Sequence, residues 1–506
     1  MKKRLYFSNY LLPLIFFLLL SFAIKGRSQP SLSNEYLTPE LRRQVEQLKR
    51  DVAAEPTSGQ TEDQRADVLW RWANAFAMEG GLLPVELPLV MALVKAYPKD
   101  PSYSNRKSES LDRFVRELQV REEMPGAIGP LASDVSKPFL PGSYQTIVQT
   151  YTIGEMPMVE GGGILVAKHF LADHGYYQTT DPTADDYVTI RCSNLRASFE
   201  IVTTTVSGMH GGFFTPADVL TFQLEGTNLT KGETITVTHG DRSGGSKGFK
   251  VQTYSNDRFP LPLYVDLEGK GNFFTLPIGH YKVIGDPVFS VKGFAPSVVA
   301  TGKSFEMSVR SEDQYFNRAS GSFPSYEVKI NGRKFREIKA SDKAITVLKD
   351  LKIESPGVYR LSIQSKDGKI TGVSNPIWVQ DNPKYGIYWG ETHGHSGFAE
   401  GQGTADAYFR FGRDDARLDF LTHSEHDLWL DDSEWEVLRK NVKKYNEEGK
   451  FITYLGYEWT VKAERGGHNN VLFRTPDDRS RVPLQEAPVL SELYRRLANE
   501  NDMGDV

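Results

Sequence analysis

Ile387–Gly397 reads IYWGETHGHSG, a strand-like apolar run that ends on His393-Gly394-His395. Residues two apart on an extended chain point to the same side, so both imidazoles can reach one centre, and Gly394 between them lets the backbone bend. The pair is a ready-made metal chelate, although two close histidines alone specify little. Further on, Thr404–Ala416 (TADAYFRFGRDDA) has helical character and leads into Leu418–Asp427 (LDFLTHSEHD), a second apolar strand with Glu425 and His426 at its C-terminal end. Lys440–Thr460 (KNVKKYNEEGKFITYLGYEWT) then joins a charged helix to a third apolar strand that reaches Glu458, and His468 follows in Gly466–Phe473 (GGHNNVLF). Helices and strands alternating in this way predict βαβ units, whose right-handed crossovers carry the strand ends to the same side of a sheet or barrel.

Half of the ten histidines lie between His393 and His468, and each of the three strands ends in histidine, glutamate or both. Mixed imidazole and carboxylate groups gathered in this way form the ligand field preferred by Zn, Mn or Fe. His423 is read either as a solvated residue or as a neighbour that steadies a ligand.

The order of these signals resembles the polymerase-and-histidinol-phosphatase (PHP) superfamily, and within it an uncharacterised bacterial family that joins β-rich N-terminal regions to a PHP-type domain. The resemblance implies a distorted (β/α) barrel over 386–506 and two or three divalent ions. It assigns metal binding to His393, His395, Glu425, His426, Glu458 and His468, with Glu458 as a bridging carboxylate. An aspartate is more usual in that superfamily at the position of Glu425. A barrel of this kind needs about 200 residues or more, so the C-terminal segment is expected to be a truncated, N-terminal half of the domain, with further ligands beyond Val506. The resemblance implies hydrolysis, of phosphoesters first, by a water that the ions activate. Arg465, between Glu458 and His468, is a candidate to steady an anionic small-molecule or polymer substrate, although a solvated loop arginine is the plainer reading.

Outward from this segment the patterning changes. Asp381-Asn382-Pro383 reads as a linker. Before it, SFEMSVRSEDQ, YEVKINGRKFREI and GVYRLSIQSKDGKITGVSNPIWV predict an immunoglobulin-like β-sandwich over 287–381, with hairpin turns at Asn331-Gly332 and Asp367-Gly368. Short β-branched and aromatic runs between Gly, Asn and Asp turns predict another sandwich-like unit over 142–286. In that unit His169, His174, His210, His239 and His280 match no metal spacing and read as loop or surface residues. The stretch HGDRSGGSKGF from His239 reads as a turn rather than an anion-binding loop, and Cys192, in a strand-like run, as a buried residue. Over 36–125 the periodicity is helical, with Thr38-Pro39 as a start signal and Gly80-Gly81 as a stop.

The chain of 506 residues, 39% hydrophobic and 25% charged, suits a multidomain folded protein. A net charge of −5 without a Lys/Arg cluster argues against a nucleic-acid-coating surface. Lys2, Lys3 and Arg4 precede an apolar run from Leu11 to Ile24, the layout of a signal peptide over 1–28; an uncleaved anchor is the alternative. The protein is therefore expected to be periplasmic or extracellular, with no other membrane contact. Its single cysteine excludes an intramolecular disulfide. Two rival functions fit less of the pattern. An amidohydrolase-type barrel also opens with a His-x-His pair, but here the acid–histidine pair comes too early and no bridging lysine follows. A secreted glycan- or polymer-binding protein would carry a degenerate C-terminal domain.

Overall fold

Strand Ile147–Thr152 buries alternate side chains, turning Ile147, Gln149 and Tyr151 inward, and its antiparallel partner Thr234–His239 does the same with Ile235, Val237 and His239. The two polar residues on this inward face meet, with His239 Nε2 2.8 Å from Gln149 Oε1. These strands centre a four-stranded sheet with Leu131–Ser133 and Val188–Cys192 at its edges. A five-stranded sheet in the order Phe273–Thr275, Leu263–Asp266, Gly163–Ala167, Val219–Glu225 and Ser198–Val202 accompanies it. One core joins them, taking Tyr151 and Val237 from the first sheet and Val166, Leu224 and Val265 from the second. That arrangement is a β-sandwich.

This computed structural model describes residues 123–135, 137–168, 172–202, 219–276, 279–396, 404–427, 432–477, 479–484 and 486–500, with Val120, Gly401 and Leu430. The segment 1–28, read above as a signal peptide, and nearly all of 36–125, where a helical region is expected, lie outside them, as do His169 and His210. Among the described residues no helix is long and apolar enough to cross a membrane. His174 and His239 correct the surface reading: both are buried, with His174 beside Tyr177, Phe249 and Phe259 and His239 beside Tyr177 and Phe249. Cys192 is partly buried, and the stretch after His239 is a turn in which Gly240, Gly245 and Gly248 hold positive φ.

The next unit pairs a seven-stranded sheet with a three-stranded one. Its core draws Val291, Met307, Val328 and Ile363 from the large sheet and Val299, Ile377 and Val379 from the small one. Asn331 and Gly332 form a two-residue hairpin loop between paired Ile330 and Arg333, with φ of 49° and 77°, the left-handed conformations that such loops require. At the second expected hairpin only Gly368 has a positive φ (77°). Its N–H bonds to Ser365 O in a longer loop.

The C-terminal segment departs from expectation. Among the described residues it forms an open four-stranded sheet in the order Gly390–Glu391, Phe420–His423, Ile452–Thr460 and His468–Phe473. The first three run parallel and the last antiparallel. This overturns the truncated, distorted (β/α) barrel expected over 386–506 and, with it, the fold class read from the sequence as a whole; the described residues are predominantly β. The physical reason lies in the chain reversal after Thr460. A 3-10 turn at Ala463–Arg465, followed by Gly466 and Gly467 at positive φ, returns the chain as a hairpin instead of a helical crossover. The opening strand, only two residues long, forms one edge.

Helix Asp432–Tyr445 covers this sheet with Trp435, Leu438, Val442 and Tyr445, all buried and spaced for one helical face. Strand Ile452–Thr460 is central and buried along most of its length. Trp459 Nε1 donates to Ala487 O at 3.0 Å, tying the strand to the segment before helix Leu490–Glu500.

The sheet is fastened to the preceding β-unit by polar contacts. Helix Ala405–Arg410 runs into a π-helical turn at Phe411–Asp415. Asp415 then meets Arg310 Nη2 at 2.8 Å and Arg318 Nε at 3.4 Å. Arg417 Nε donates to Ser308 Oγ at 3.0 Å, and Trp389 Nε1 to Ser297 Oγ at 2.8 Å.

Candidate metal centre

Backbone pairing gathers the ligand-type residues at one end of the open sheet. Beyond strand Phe420–His423 the chain stays beside Ile452–Thr460, with Glu458 N bonded to Glu425 O and Asp427 N to Glu458 O, both at 2.8 Å. Asp427 locks this geometry, because its carboxylate accepts from Thr460 N at 2.8 Å and Leu484 N at 2.7 Å. The histidine pair is held by Ser424, whose Oγ accepts from Gly394 N at 2.9 Å and whose N–H donates to Gly394 O at 3.0 Å. Gly394 is required by close approach, since a Cβ there would lie 2.1 Å from Tyr408 Oη. In the hairpin, Thr460 opposes His468 and Glu458 opposes Asn470. Pleating therefore puts these four side chains on one face.

Glu458 is the hub. It is buried, and its Oε1 accepts from His468 Nδ1, 2.6 Å away. Its Oε2 makes no hydrogen bond although it is buried, and lies 3.4 Å from His395 Nε2, 3.9 Å from His393 Nε2 and 3.2 Å from His426 Nδ1. A buried carboxylate oxygen left so is costly unless a cation completes it. Tetrahedral ligands bonded at about 2.0–2.1 Å sit about 3.3 Å from one another, close to the spacing of Glu458 Oε2 and His395 Nε2. Ligand atoms fall into two groups, His393, His395 and Glu458, and His426, Glu458 and His468, with every atom within 4.8 Å of the others in its group. The donor set fits two cations sharing Glu458.

Five of the six expected ligands belong to these groups, and the sixth, Glu425, lies outside them. Glu425 is fully buried and its Oε1 accepts from Ser396 N and Ser396 Oγ, each at 2.6 Å. Its Oε2 lies 3.6 Å from His395 Nδ1 and, like Glu458 Oε2, is buried without a hydrogen bond. His423 stands behind the cluster, buried against Tyr408 and Phe409, with Nδ1 3.3 Å from Glu425 Oε1. Arg465 is exposed in the turn that leads to His468.

Burial, reinforced by His395, His468 and His393, pushes the His426 pKa down to about 3. Burial also lowers that of His423, against the pull of Glu425. Both imidazoles are thus neutral at ordinary pH, which is the metal-binding form of histidine. Sequence reasoning missed Asn470, whose Oδ1 lies 3.2 Å from His393 Nδ1, and Thr460, whose Oγ1 lies 2.7 Å from His426 Nδ1. Their even spacing from His468 and Glu458 on the strands was the available signal.

The profile of a family described as Protein of unknown function (DUF3604) matches residues 405–506. An uncharacterised protein of Chlamydia pneumoniae is 25% identical over 286 residues, 54% of this chain and 46% of that protein. One of Chlamydia muridarum is 27% identical over 259 residues, 50% of this chain and 42% of its own length. The chain thus spans under half the length of these curated relatives. Among solved structures, the CARDB domain of PF1109 from Pyrococcus furiosus aligns with 19% of this chain and 99% of itself, at 17% identity and a TM-score of 0.15. The adhesin InvE of Yersinia pseudotuberculosis aligns with 49% of this chain and 58% of itself, at 12% identity and a TM-score of 0.16. Likenesses at this level assign neither fold nor function.

Proposed function

We propose that the chain is an exported metal-dependent hydrolase that cleaves phosphoesters at the cluster around Glu458. The observation behind this reading is the buried Glu458 Oε2, without a hydrogen bond and facing the Nε2 atoms of His393 and His395. Glu458 turns Oε2 toward His393, His395 and His426 and Oε1 toward His468, so one carboxylate faces both groups of histidines and would be shared by two cations. When bound, such cations lower the pKa of a coordinated water and polarise the oxygen of the scissile bond. His395 and His426 anchor the inner wall, whereas His393 and His468 are about half exposed (49% and 57%) and leave the cluster open for a substrate. Phosphoesters are the favoured class because clustered cations oppose the negative charge on a phosphoryl group and because the order of ligand residues resembles that of the PHP superfamily. Arg465, three residues before His468 in the exposed turn, is the side chain we assign to the substrate's anionic end. The basic N-terminus and the apolar run from Leu11 to Ile24 support export.

The test is a panel of phosphomonoesters and phosphodiesters presented to the full chain with Zn, Mn or Fe. Activity that a chelator abolishes and added cation restores is expected, and His393→Ala should lose both metal and activity. A metal-loaded wild type inert across the panel would overturn the phosphoesterase reading.

A further inference from the structure

The two histidines of the opening pair are backed by different groups. His393 presents Nε2 toward Glu458 Oε2, while its Nδ1 lies 3.2 Å from Asn470 Oδ1. His395 also presents Nε2 toward Glu458 Oε2, and its Nδ1 lies 3.6 Å from Glu425 Oε2, too far for a hydrogen bond but within ion-pair distance, where the carboxylate's charge favours a proton on Nδ1. In both cases the group behind the ring is an acceptor. Asn470 Nδ2 donates to Thr392 O at 3.2 Å, which orients the amide and commits its oxygen to His393; an amide oxygen can only accept, so Nδ1 carries the proton. Ser424 Oγ is also 3.2 Å from His393 Nδ1, but Gly394 O, 3.4 Å away, can take its hydroxyl proton. Glu425 is fixed through its other oxygen by two donors from Ser396, which holds Oε2 toward His395.

We infer that Asn470 and Glu425 are positioning residues, which hold the Nδ1–H tautomers of His393 and His395 and so present both Nε2 lone pairs to one cation position. The inference rests on the metal-centre reading and deepens it, because it places Glu425 behind a ligand rather than among the ligands. The two supports differ in charge. A carboxylate behind His395 makes that imidazole a stronger donor, whereas the neutral amide behind His393 sets direction without adding basicity.

Two measurements on the full chain test this. The first is the tautomer state of each imidazole in metal-free, 15N-histidine-labelled protein. His393 and His395 are expected to be protonated at Nδ1, and Asn470→Ala should move His393 alone toward a mixture of tautomers. Because Asn470 is exposed, this variant is expected to fold even if a change at Glu425 does not. The second is titration with Zn alone. Asn470→Ala and Glu425→Gln should each weaken binding about 10–100-fold while leaving the number of bound equivalents unchanged, whereas His395→Ala should remove one equivalent. Wild-type His393 or His395 protonated at Nε2 would overturn the inference, as would loss of a full equivalent in Glu425→Gln. A wild type that binds no Zn defeats the hydrolase reading alone, since the tautomer measurement decides the positioning roles on metal-free protein.

Discussion

His239 and His426 each have a pKa near 3, and their surroundings differ. Burial alone depresses His239, deep in the first sandwich, whereas His426 also feels three imidazoles that would share the cluster's cations with it. His239 gives a prediction free of the metal question. Below about pH 6.5 the unfolded chain takes up a proton that the folded chain refuses until about pH 3. The unfolded state therefore binds more protons throughout that window, and stability falls as the pH drops through it, by up to about 1.4 kcal/mol per pH unit. His239→Gln keeps a donor for Gln149 and has nothing to protonate, so its stability between pH 6.5 and pH 3 should decline less steeply in denaturant titrations. Parallel curves for the two proteins would contradict this. His239 shows what a single sequence can reveal at this scale. In TITVTH the alternate residues Ile235, Val237 and His239 face inward, so the histidine's burial could have been read from the alternation that placed the first two. The direction of Glu425 could not, because its Oε1 is claimed by Ser396, a residue from another loop.

At the scale of elements, the strands that bring ligands together were legible as apolar runs ending in His or Glu, and strand pairing joins them as parallel neighbours. Closure into a barrel was not legible. It depends on the chain after Thr460, where two glycines at positive φ and one 3-10 turn make a hairpin, and that hairpin supplies His468 and Asn470 from across the strand. The π-helical turn at Phe411–Asp415 was equally hidden, since its single extra residue leaves no mark on helical periodicity. It sets Asp415 against Arg310, which is 8% exposed. Asp415→Ala leaves that guanidinium with Glu312 alone, 3.4 Å away, as its carboxylate partner. Breaking a buried pair from one side costs about 3–5 kcal/mol, so the variant's unfolding midpoint in denaturant should fall markedly. An unchanged midpoint would show that the contact between the sheet and the β-unit carries no stability.

Across the whole molecule, two β-sandwich units precede a smaller open sheet that holds the ligand-type residues at one end, with buried and half-buried polar contacts fixing that sheet to its neighbour. The fixed contact keeps Trp389 in place just before the histidine pair, and the pair in turn meets Glu458 of the central strand. The cluster thus depends on contacts distant in sequence: His393 to Asn470, His395 beside Glu425, and both facing Glu458. The most direct test of this convergence is the metal content of the purified full chain, measured by elemental analysis beside Glu458→Ala. Two equivalents of a divalent transition metal in the wild type and loss of both in the variant are the result expected of one shared carboxylate. Equal metal content in the two proteins, or none in the wild type, would contradict it.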